Sequence, residues 1–381
     1  MDRNMKKWHS YKLSDVVRFN PSERLLKGEI AKKVPMDLLQ PYTRGISGFE
    51  MASYTGGSKF RNGDTLMARI TPCLENGKTA YVSMLDEDEV GFGSTEYIVF
   101  RNIEGITDNK FVYYFVTSPW FRDIAVKSMV GSSGRQRVQQ AMLENLVVNL
   151  PPLAEQKQIA GILGALDDKI ELNRCINDNL EEQAKALFKS WFVDSDRNEW
   201  VHYELGDITL ITAGGDRPSK YTNMKTIECY VPIYSNGIDN EGLYGYTDVA
   251  KIHEESITIS ARGTIGYVCL RLEPYVPIVR LISIIPNKKE LSAKYLYLWA
   301  LTQNITGTGT TQQQLTVPIF RKTPISIPSD TKLKQFNSIA DPLFSQIESN
   351  KKENIKLSTL RDTLLPKLMS GELSVEEVSL D

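Results

Sequence analysis

The chain has 381 residues, 41% of them hydrophobic, and a formal net charge of −2. Its length exceeds that of the usual single core and its hydrophobic content is ordinary for a globular protein, so we expect two domains. No apolar stretch reaches signal or membrane length, which excludes a membrane-spanning chain and predicts a cytoplasmic protein. The negative charge would ordinarily argue against a nucleic-acid partner, but net charge is a weak guide when a concave face can concentrate cations.

Residues 1–150 have the pattern of short strands separated by glycine-rich loops. Residues 79–83 and 95–100 carry the β-branched and aromatic side chains typical of strands. Residues 108–117 are predicted to be helical, and their aromatic side chains are more typical of a core than of a base-stacking surface. We therefore predict an α+β domain over residues 1–150.

Residues 151–197 are predicted to form a long helix that packs along a seam. Mainly apolar residues recur there every seven positions, which is the a and d pattern of paired helices. One row is Leu163, Ile170, Asn177, Ala184 and Trp191. The row that we assign to the helix seam and to partner binding is Leu166, Asn173, Leu180 and Leu187.

Residues 198–328 repeat the α+β pattern of the first domain. A helix is predicted over residues 292–302, with Ser292 as its N-cap. Strand-like runs cover residues 256–260, 266–270 and 281–285. Three short motifs recur in the two domains: YKLSD at 11–15 and YELGD at 203–207, DTLMAR at 64–69 and ITISAR at 257–262, and KFVYY at 110–114 and KYLYL at 294–298.

Residues 329–375 are predicted to form a second long helix, followed by a tail at 376–381. This helix matches the first at a constant shift of 177 residues, and its seam row is Leu343, Asn350, Leu357 and Leu364. Seam positions where leucine would pack better are held by Asn173 and Asn177 and by their counterparts Asn350 and Asn354. We predict that these asparagines pair across the helices and fix their register at some cost in stability, the alternative being the solvent edge of the seam.

A proline lies inside the second helical repeat, where the dipeptide Asp341-Pro342 takes the place of Gly164-Ala165. Proline lacks a backbone donor and clashes with the preceding turn, but it suits the first position of a helix capped by aspartate. The sequence therefore predicts that the second helix starts afresh or kinks near Asp341.

Motifs for catalysis and metal binding are missing from the sequence. Residues 77–79 (GKT) have Pro72 where a phosphate-binding loop needs its first glycine. There is no Asn/Asp-Pro-Pro-aromatic tetrapeptide, and three histidines supply little general acid-base chemistry. The four cysteines have no metal-ligand spacing, so we expect thiols without a metal.

Polar, glycine-containing loops in both domains carry side chains that suit DNA. Glycine lets backbone approach phosphate, arginine can bind the O6 and N7 atoms of guanine, and glutamine or asparagine can bind adenine in the same way. For any one loop the alternative is a solvated turn, but recurrence at equivalent places favours binding. The predicted DNA-binding residues are Lys59, Arg69, Thr71, Arg135, Gln136 and Arg137 in the first domain, and Ser235, Asn236, Arg262, Thr264, Thr311 and Gln312 in the second.

Residues 150–160 (LPPLAEQKQIA) and 188–192 (FKSWF) resemble the central conserved region of specificity subunits of type I restriction-modification enzymes. Residues 261–266 (ARGTIG) resemble a strand-loop sequence common in the target recognition domains of that family. The resemblance spans essentially the whole chain. Residues 327–335 depart from it, because the second helix begins without the Glu-Gln pair.

The resemblance implies a fold and a role. Two target recognition domains would each read one half of a split, asymmetric site in double-stranded DNA, separated by two long antiparallel helices that form a coiled-coil-like spacer. Methyltransferase (M) subunits, of which we expect two, would dock on the helices, and restriction/motor (R) subunits would join for cleavage. The chain itself would be non-catalytic, with S-adenosylmethionine, ATP and Mg²⁺ only in the partner subunits. The alternative is a non-catalytic two-domain adaptor that binds a peptide or a carbohydrate.

Overall fold

The structure is a computed structural model, and the residues it describes are 8–195, 200–289, 291–303, 305 and 315–378. The chain divides into two compact units. The first unit comprises Met1–Arg174 and Lys351–Asp381, and the second unit comprises Cys175–Asn350.

The first unit contains short strands, short helices and parts of two long helices. Its strands are β1 (His9–Lys12), β2 (Val17–Phe19), β3 (Ile30–Val34), β4 (Glu50–Ser53), β5 (Lys59–Phe60), β6 (Thr65–Ala68), β7 (Thr79–Tyr81), β8 (Gly91–Gly93), β9 (Tyr97–Asn102) and β10 (Val147–Leu150). Its helices are α1 (Leu13–Val16), α2 (Asn109–Thr117), α3 (Pro119–Lys127), α4 (Gln140–Glu144), the first part of α5 (Leu153–Phe188) and the last part of α9 (Asp330–Ser370).

The central sheet of the first unit is antiparallel, in the order β2-β9-β6-β7. A second sheet has the order β4-β3-β8-β5 and contains one parallel pair, β3 with β8, while β1 and β10 form an antiparallel ribbon. Because side chains alternate along a strand, β6 serves two cores. Leu66 packs in one core with Val34 and Val99, and Met67 packs in another with Phe111 of α2. Both faces of the central sheet are therefore covered.

The second unit repeats this arrangement. Its strands are β11 (Val201–Glu204), β12 (Thr209–Ala213), β13 (Val231–Tyr234), β14 (Leu243–Thr247), β15 (Ser256–Ile259), β16 (Val268–Arg271), β17 (Val276–Pro277), β18 (Ile282–Pro286) and β19 (Pro324–Ile327). Its helices are the last part of α5, α6 (Leu205–Ile208), α7 (Ala293–Leu301), α8 (Val317–Arg321) and the first part of α9 (Asp330–Ser370).

The sheets of the second unit follow the same order as those of the first. The central antiparallel sheet is β12-β18-β15-β16, the neighbouring sheet is β14-β13-β17 with β13 parallel to β17, and β11 pairs with β19. The predicted N-cap is confirmed, because the Ser292 hydroxyl accepts a hydrogen bond from the backbone N–H of Tyr295 at 3.1 Å. The predicted α+β class and the predicted strands and helix of this region are thus confirmed.

The fresh start of the second helix that was predicted near Asp341 is wrong. Helix α9 is continuous from Asp330 to Ser370 and passes through Pro342. Phe336, Ala340 and Phe344 on its inner face are buried in the core of the second unit, whereas Pro342 and Ser338, whose carbonyl loses its intrahelical partner, are exposed. Packing of the inner face therefore outweighs the local proline signal, and water can reach the unpaired carbonyl.

The predicted pairing of the seam asparagines is confirmed within each unit. In the first unit, Asn173 Nδ2 donates to Asn354 Oδ1 at 2.9 Å, and Asn354 donates to the carbonyl of Ile170 at 3.3 Å. In the second unit, Asn350 Nδ2 donates to Asn177 Oδ1 at 2.8 Å. The two networks are related by the repeat of 177 residues.

The two long helices run antiparallel in the first unit, since residues further along α5 contact residues further back along α9. Asp167 pairs with Arg361 and Lys169 pairs with Glu353. Of the predicted seam residues, Leu166, Asn173 and Asn350 are buried, and the half-buried ones are Leu180, Leu187, Leu343, Leu357 and Leu364.

Candidate nucleic-acid interface

In the first unit, the segment that follows β6 holds the loop at residues 131–137. The backbone N–H of Thr71 donates to the carbonyl of Gln136 at 3.1 Å, and the Thr71 hydroxyl accepts from the backbone N–H of Gln136 at 3.1 Å. The backbone N–H of Val138 donates to the carbonyl of Arg69 at 2.9 Å. The structure thus brings Gln136 next to Thr71 and the Arg69 segment, although Gln136 and Thr71 are 65 positions apart in the sequence.

The loop itself closes tightly and presents Arg135. Val130 and Arg137 exchange two backbone hydrogen bonds, of 3.0 and 2.9 Å, at the base of the loop. Gly131 has a φ of +136°, and a Cβ at this position would lie 2.9 Å from the carbonyl oxygen of Arg135. Arg135 is exposed. Glycine is needed at position 131 because the backbone of the loop crosses so closely there.

Arg69 and Arg137 differ in whether their guanidinium N–H groups have hydrogen-bond partners. Arg137 forms a fork with Glu96, with Nε–Oε1 and Nη2–Oε1 distances of 3.0 and 2.6 Å, and this hydrogen bonding raises the pKa of Arg137. Arg69 is half-buried, and its buried Nε has no partner within the described residues. An arginine donor that is shielded from water and unpaired is costly, so this position calls for a structural or functional explanation.

Two other predicted residues of the first unit have structural partners. The ammonium of Lys59 donates to the carbonyl of Glu23 at 2.7 Å and lies 5.1 Å from the centre of the Tyr54 ring. The Thr71 side chain is buried and is used by the loop. Neither contact could be predicted from the sequence, because both join residues that are distant along the chain.

In the second unit, the side chain of Asn236 hydrogen-bonds to the backbone of two separate loops. Its Oδ1 accepts from the backbone N–H of Ala261 at 2.7 Å, and its Nδ2 donates to the carbonyl of Val279 at 2.5 Å. Arg262, which follows Ala261, is exposed. The asparagine that we predicted as a base reader therefore also shapes the backbone around Arg262.

The other predicted DNA-binding residues of the second unit differ in their exposure to solvent. Thr264 is exposed, and Ser235 is half-buried with its backbone N–H bonded to the carbonyl of Gly242 at 2.8 Å. Thr311 and Gln312 lie outside the described residues.

Sequence reasoning missed an aromatic-cationic cluster in the second unit. The guanidinium carbon of Arg217 lies 3.9 Å from the centre of the Tyr221 ring, and Nη1 of Arg217 donates to the Tyr244 hydroxyl at 3.0 Å. Arginine–tyrosine stacking is a cation–π contact found in many proteins, and surfaces that bind single-stranded nucleic acid also combine aromatic side chains with arginine. Residues 214–218 (GGDRP), with Tyr221 three positions after Pro218, contain a glycine pair, an arginine and a nearby aromatic residue that could have indicated this cluster.

Other site types receive no support from the described residues. Within them, no three His, Cys, Asp or Glu side chains are grouped so that they could hold a metal ion. None of the four cysteines forms a disulfide. Over the same ranges, no helix combines the length and the apolar character needed to cross a membrane.

The family model for the Type I restriction modification DNA specificity domain matches residues 5–182 and 197–359. The chain belongs to this family.

Relatives of this family include the Type I restriction enzyme MjaIX specificity subunit of Methanocaldococcus jannaschii, which is 28% identical over 320 residues, covering 73% of each chain. The HindI specificity subunit of Haemophilus influenzae is 26% identical over 408 residues, covering 82% of this chain and 87% of the relative. The crystal structure of the type I restriction-modification S subunit from M. genitalium covers 97% of both chains with a TM-score of 0.56 at 18% identity, a likeness of fold.

Proposed function

We propose that this chain is the DNA specificity subunit of a type I restriction-modification complex and that each unit reads one half of an asymmetric, two-part site. The observation that carries this proposal is the repeated architecture. Both units have the same central sheet order, and matching motifs place Arg69 after β6 and Arg262 after β15. Two similar but non-identical readers suit two different half-sites.

The chemistry of the loops supports contact with duplex DNA. Arg69 has a buried, unpaired donor, and Arg135 and Arg262 are exposed. A guanidinium can bind guanine O6 and N7 in a fork or can bind phosphate. Gly134 beside Arg135 and Gly263 beside Arg262 allow the backbone to approach phosphate closely.

We propose that the long helices set the spacing between the half-sites and dock the methyltransferase subunits. Each helix contributes residues to both units, and asparagine pairs lock their register in each. A register lock of this kind favours one arrangement over others in which the helices have slipped.

The chain on this view provides specificity without catalysis. Two methyltransferase subunits would supply S-adenosylmethionine chemistry, and motor-nuclease subunits would supply ATP- and Mg²⁺-dependent chemistry, in the cytoplasm. Membership of the family does not favour the alternative, an adaptor for a peptide or carbohydrate.

The test is selection from a pool of random-sequence duplex DNA with the full chain, alone and with its methyltransferase subunit. The expected result is enrichment of one two-part sequence. Arg135→Ala should loosen preference in one half-site and Arg262→Ala in the other, each by roughly 1–3 kcal/mol. The exposed Lys27→Ala and Lys225→Ala variants are matched controls. Failure of the unmodified chain to enrich any sequence, with or without the partner, contradicts the proposed function.

A further inference from the structure

The turn between β17 and β18 has an unusual backbone. Val279 has a φ of +53° and Arg280 a φ of +65°, and both side chains are exposed. Two successive non-glycine residues in the left-handed region are rare, and a β-branched valine there is an outlier. Such strain persists only where the surroundings enforce it, and it concentrates at functional sites.

Backbone contacts from the end of β12 enforce this turn. The N–H of Val279 donates to the carbonyl of Gly215 at 2.9 Å, and the N–H of Arg280 donates to that of Gly214 at 3.0 Å. A Cβ on Gly214 would lie 2.7 Å from the backbone nitrogen of Ile278. Only glycine at position 214 lets the two segments approach this closely, so the turn is built into the fold.

Asn236 connects the turn to the loop that carries Arg262. Because its amide bonds the carbonyl of Val279 and the N–H of Ala261, one side chain fixes the backbone beside both arginines. The side chain of Arg280 has no hydrogen bond or ion pair with any residue that the structure describes, so its five donors are not used by that part of the fold.

The corresponding turn of the first unit, between β8 and β9, carries the opposite charge. Glu96 lies there and binds the fork of Arg137, so the acid of the turn neutralises an arginine of the neighbouring loop. In the second unit the turn itself supplies an arginine, Arg280. The two units therefore present different groups from equivalent places in the sheet order.

We propose that Arg280 reads a base edge in the half-site of the second unit and that Asn236 is a positioning residue that aims it. This inference rests on the proposed function. A guanidinium held on a fixed backbone can bind guanine O6 and N7 bidentately, and the strained turn reduces the freedom that binding would otherwise remove.

The experiment is selection from random-sequence duplex DNA with the full chain and its methyltransferase subunit, comparing Arg280→Ala and Arg280→Lys with the exposed Lys225→Ala control. Both Arg280 variants should lose roughly 5-fold to 100-fold discrimination at one or two positions of a single half-site, because lysine keeps the charge but cannot form the fork. The control should keep the full sequence preference.

Asn236→Ala should loosen the same positions as Arg280→Ala, and adding Val279→Gly should restore part of the preference because glycine adopts the turn without support. An Asn236→Ala variant that keeps preference at those positions overturns the positioning role.

If Arg280→Lys keeps full discrimination, Arg280 does not read a base and its positive charge contacts a phosphate instead. An Arg280→Ala variant with full discrimination overturns the assignment altogether. In both cases the sequence enriched by the unmodified chain still supports the proposed function, whereas enrichment of no sequence by that chain removes the proposed function itself.

Discussion

Asp167 of α5 and Arg361 of α9 form a buried ion pair in the first unit, with 2.7 Å between Oδ1 and Nη1. The hydroxyl of Tyr114 donates to the other carboxylate oxygen of Asp167 at 2.7 Å. Burial alone would lower the pKa of Arg361, but the ion pair and hydrogen bond with Asp167 outweigh it and raise that pKa. Tyr114, Asp167 and Arg361 thus form a buried polar trio in the first unit, in which both carboxylate oxygens of Asp167 accept a hydrogen bond.

The second unit closes the same positions with apolar side chains. By the repeat of 177 residues, Phe344 is the counterpart of Asp167, and Ala184 is the counterpart of Arg361. The alignment of KFVYY (110–114) with KYLYL (294–298) makes Leu298 the counterpart of Tyr114. Phe344, Ala184 and Leu298 are all buried in one hydrophobic core. The same positions of the helical repeat are therefore filled by a hydrogen-bonded ion pair in the first unit and by apolar side chains in the second.

Removing one member of the polar trio should be costly. Arg361→Ala leaves Asp167 buried without its counter-ion, so we expect a loss of roughly 3–5 kcal/mol in the free energy of unfolding. The triple variant Tyr114→Leu, Asp167→Phe, Arg361→Ala copies the second unit and should recover most of this loss, since apolar replacement of a buried pair is often neutral or stabilising. Urea unfolding of the full chain measures both changes.

Asp362→Ala is the matched control for the trio, because Asp362 also pairs with Arg361 but is largely exposed. It should change the free energy of unfolding by about 0–1 kcal/mol. Wild-type stability in Arg361→Ala, or a triple variant weaker than that single one, would contradict the argument.

The asparagine pairs give a second prediction. Asn173→Leu alone leaves Asn354 without its donor and should destabilise the chain by about 1–3 kcal/mol. Asn173→Leu with Asn354→Leu should raise the melting temperature above that of the single variant, because both polar partners are removed from the seam. The same double variant should accept DNA sites with altered half-site spacing, because the first unit loses its asparagine pair and only the Asn177–Asn350 pair of the second unit still fixes the register.

Thermal unfolding and selection on duplex libraries of varied spacing separate the two effects. The double variant Ser345→Ala with Ser349→Ala, at exposed positions of α9, is the control. A double asparagine variant with lowered stability and unchanged spacing would argue that the pairs serve stability alone.

Features that depend on periodicity could be predicted from the sequence. The long helices follow from rows spaced by seven, and α7 begins after its predicted cap because Ser292 bonds the N–H of Tyr295 at 3.1 Å. These signals lie within a few turns of the chain. The equivalence of the two units could also be predicted, because each repeated motif is a short run of residues that can be recognised without knowing any tertiary contact.

Contacts between distant segments could not be predicted. Asn236 bonds backbone groups of residues 261 and 279, and nothing in its neighbours along the chain indicates either partner. The left-handed turn at Val279 contradicts local preference, because tertiary hydrogen bonds from residues 214 and 215 impose it. The candidate site was therefore predicted as a set of loops, and the use of each side chain came from the structure.

Arg44 gives a third prediction, since it ties a loop of the first unit to α5. Its Nη2 lies 2.5 Å from both Asp168 Oδ1 and Glu171 Oε2, and its Nε lies 3.1 Å from Glu171 Oε1. Arg44 is 8% exposed. Arg44→Ala should cost roughly 1–3 kcal/mol, and Arg44→Lys should recover only part of this loss because the fork is lost.

Lys33→Ala is the control for Arg44, because it removes a lysine from an exposed ion pair with Glu50. We expect a change in the free energy of unfolding of about 0–1 kcal/mol, decreasing with added salt, whereas the Arg44 effect should persist at high salt. Full recovery by Arg44→Lys would show that charge alone accounts for the contact.

The last prediction concerns Pro342, which lies inside α9 and has no N–H for the carbonyl of Ser338. Because the helix continues through this exposed proline, Pro342→Ala should restore one hydrogen bond and remove about 3 kcal/mol of unfavourable helix propensity. Alanine also gives the unfolded chain more freedom, which offsets about 0.4–1 kcal/mol. We therefore expect a net gain of about 2 kcal/mol in the free energy of unfolding, against about 0.5 kcal/mol for the exposed Ser345→Ala control. A Pro342→Ala variant that is less stable than the unmodified chain would show that the proline sets a shape of α9 that the packing of Phe336 and Phe344 requires.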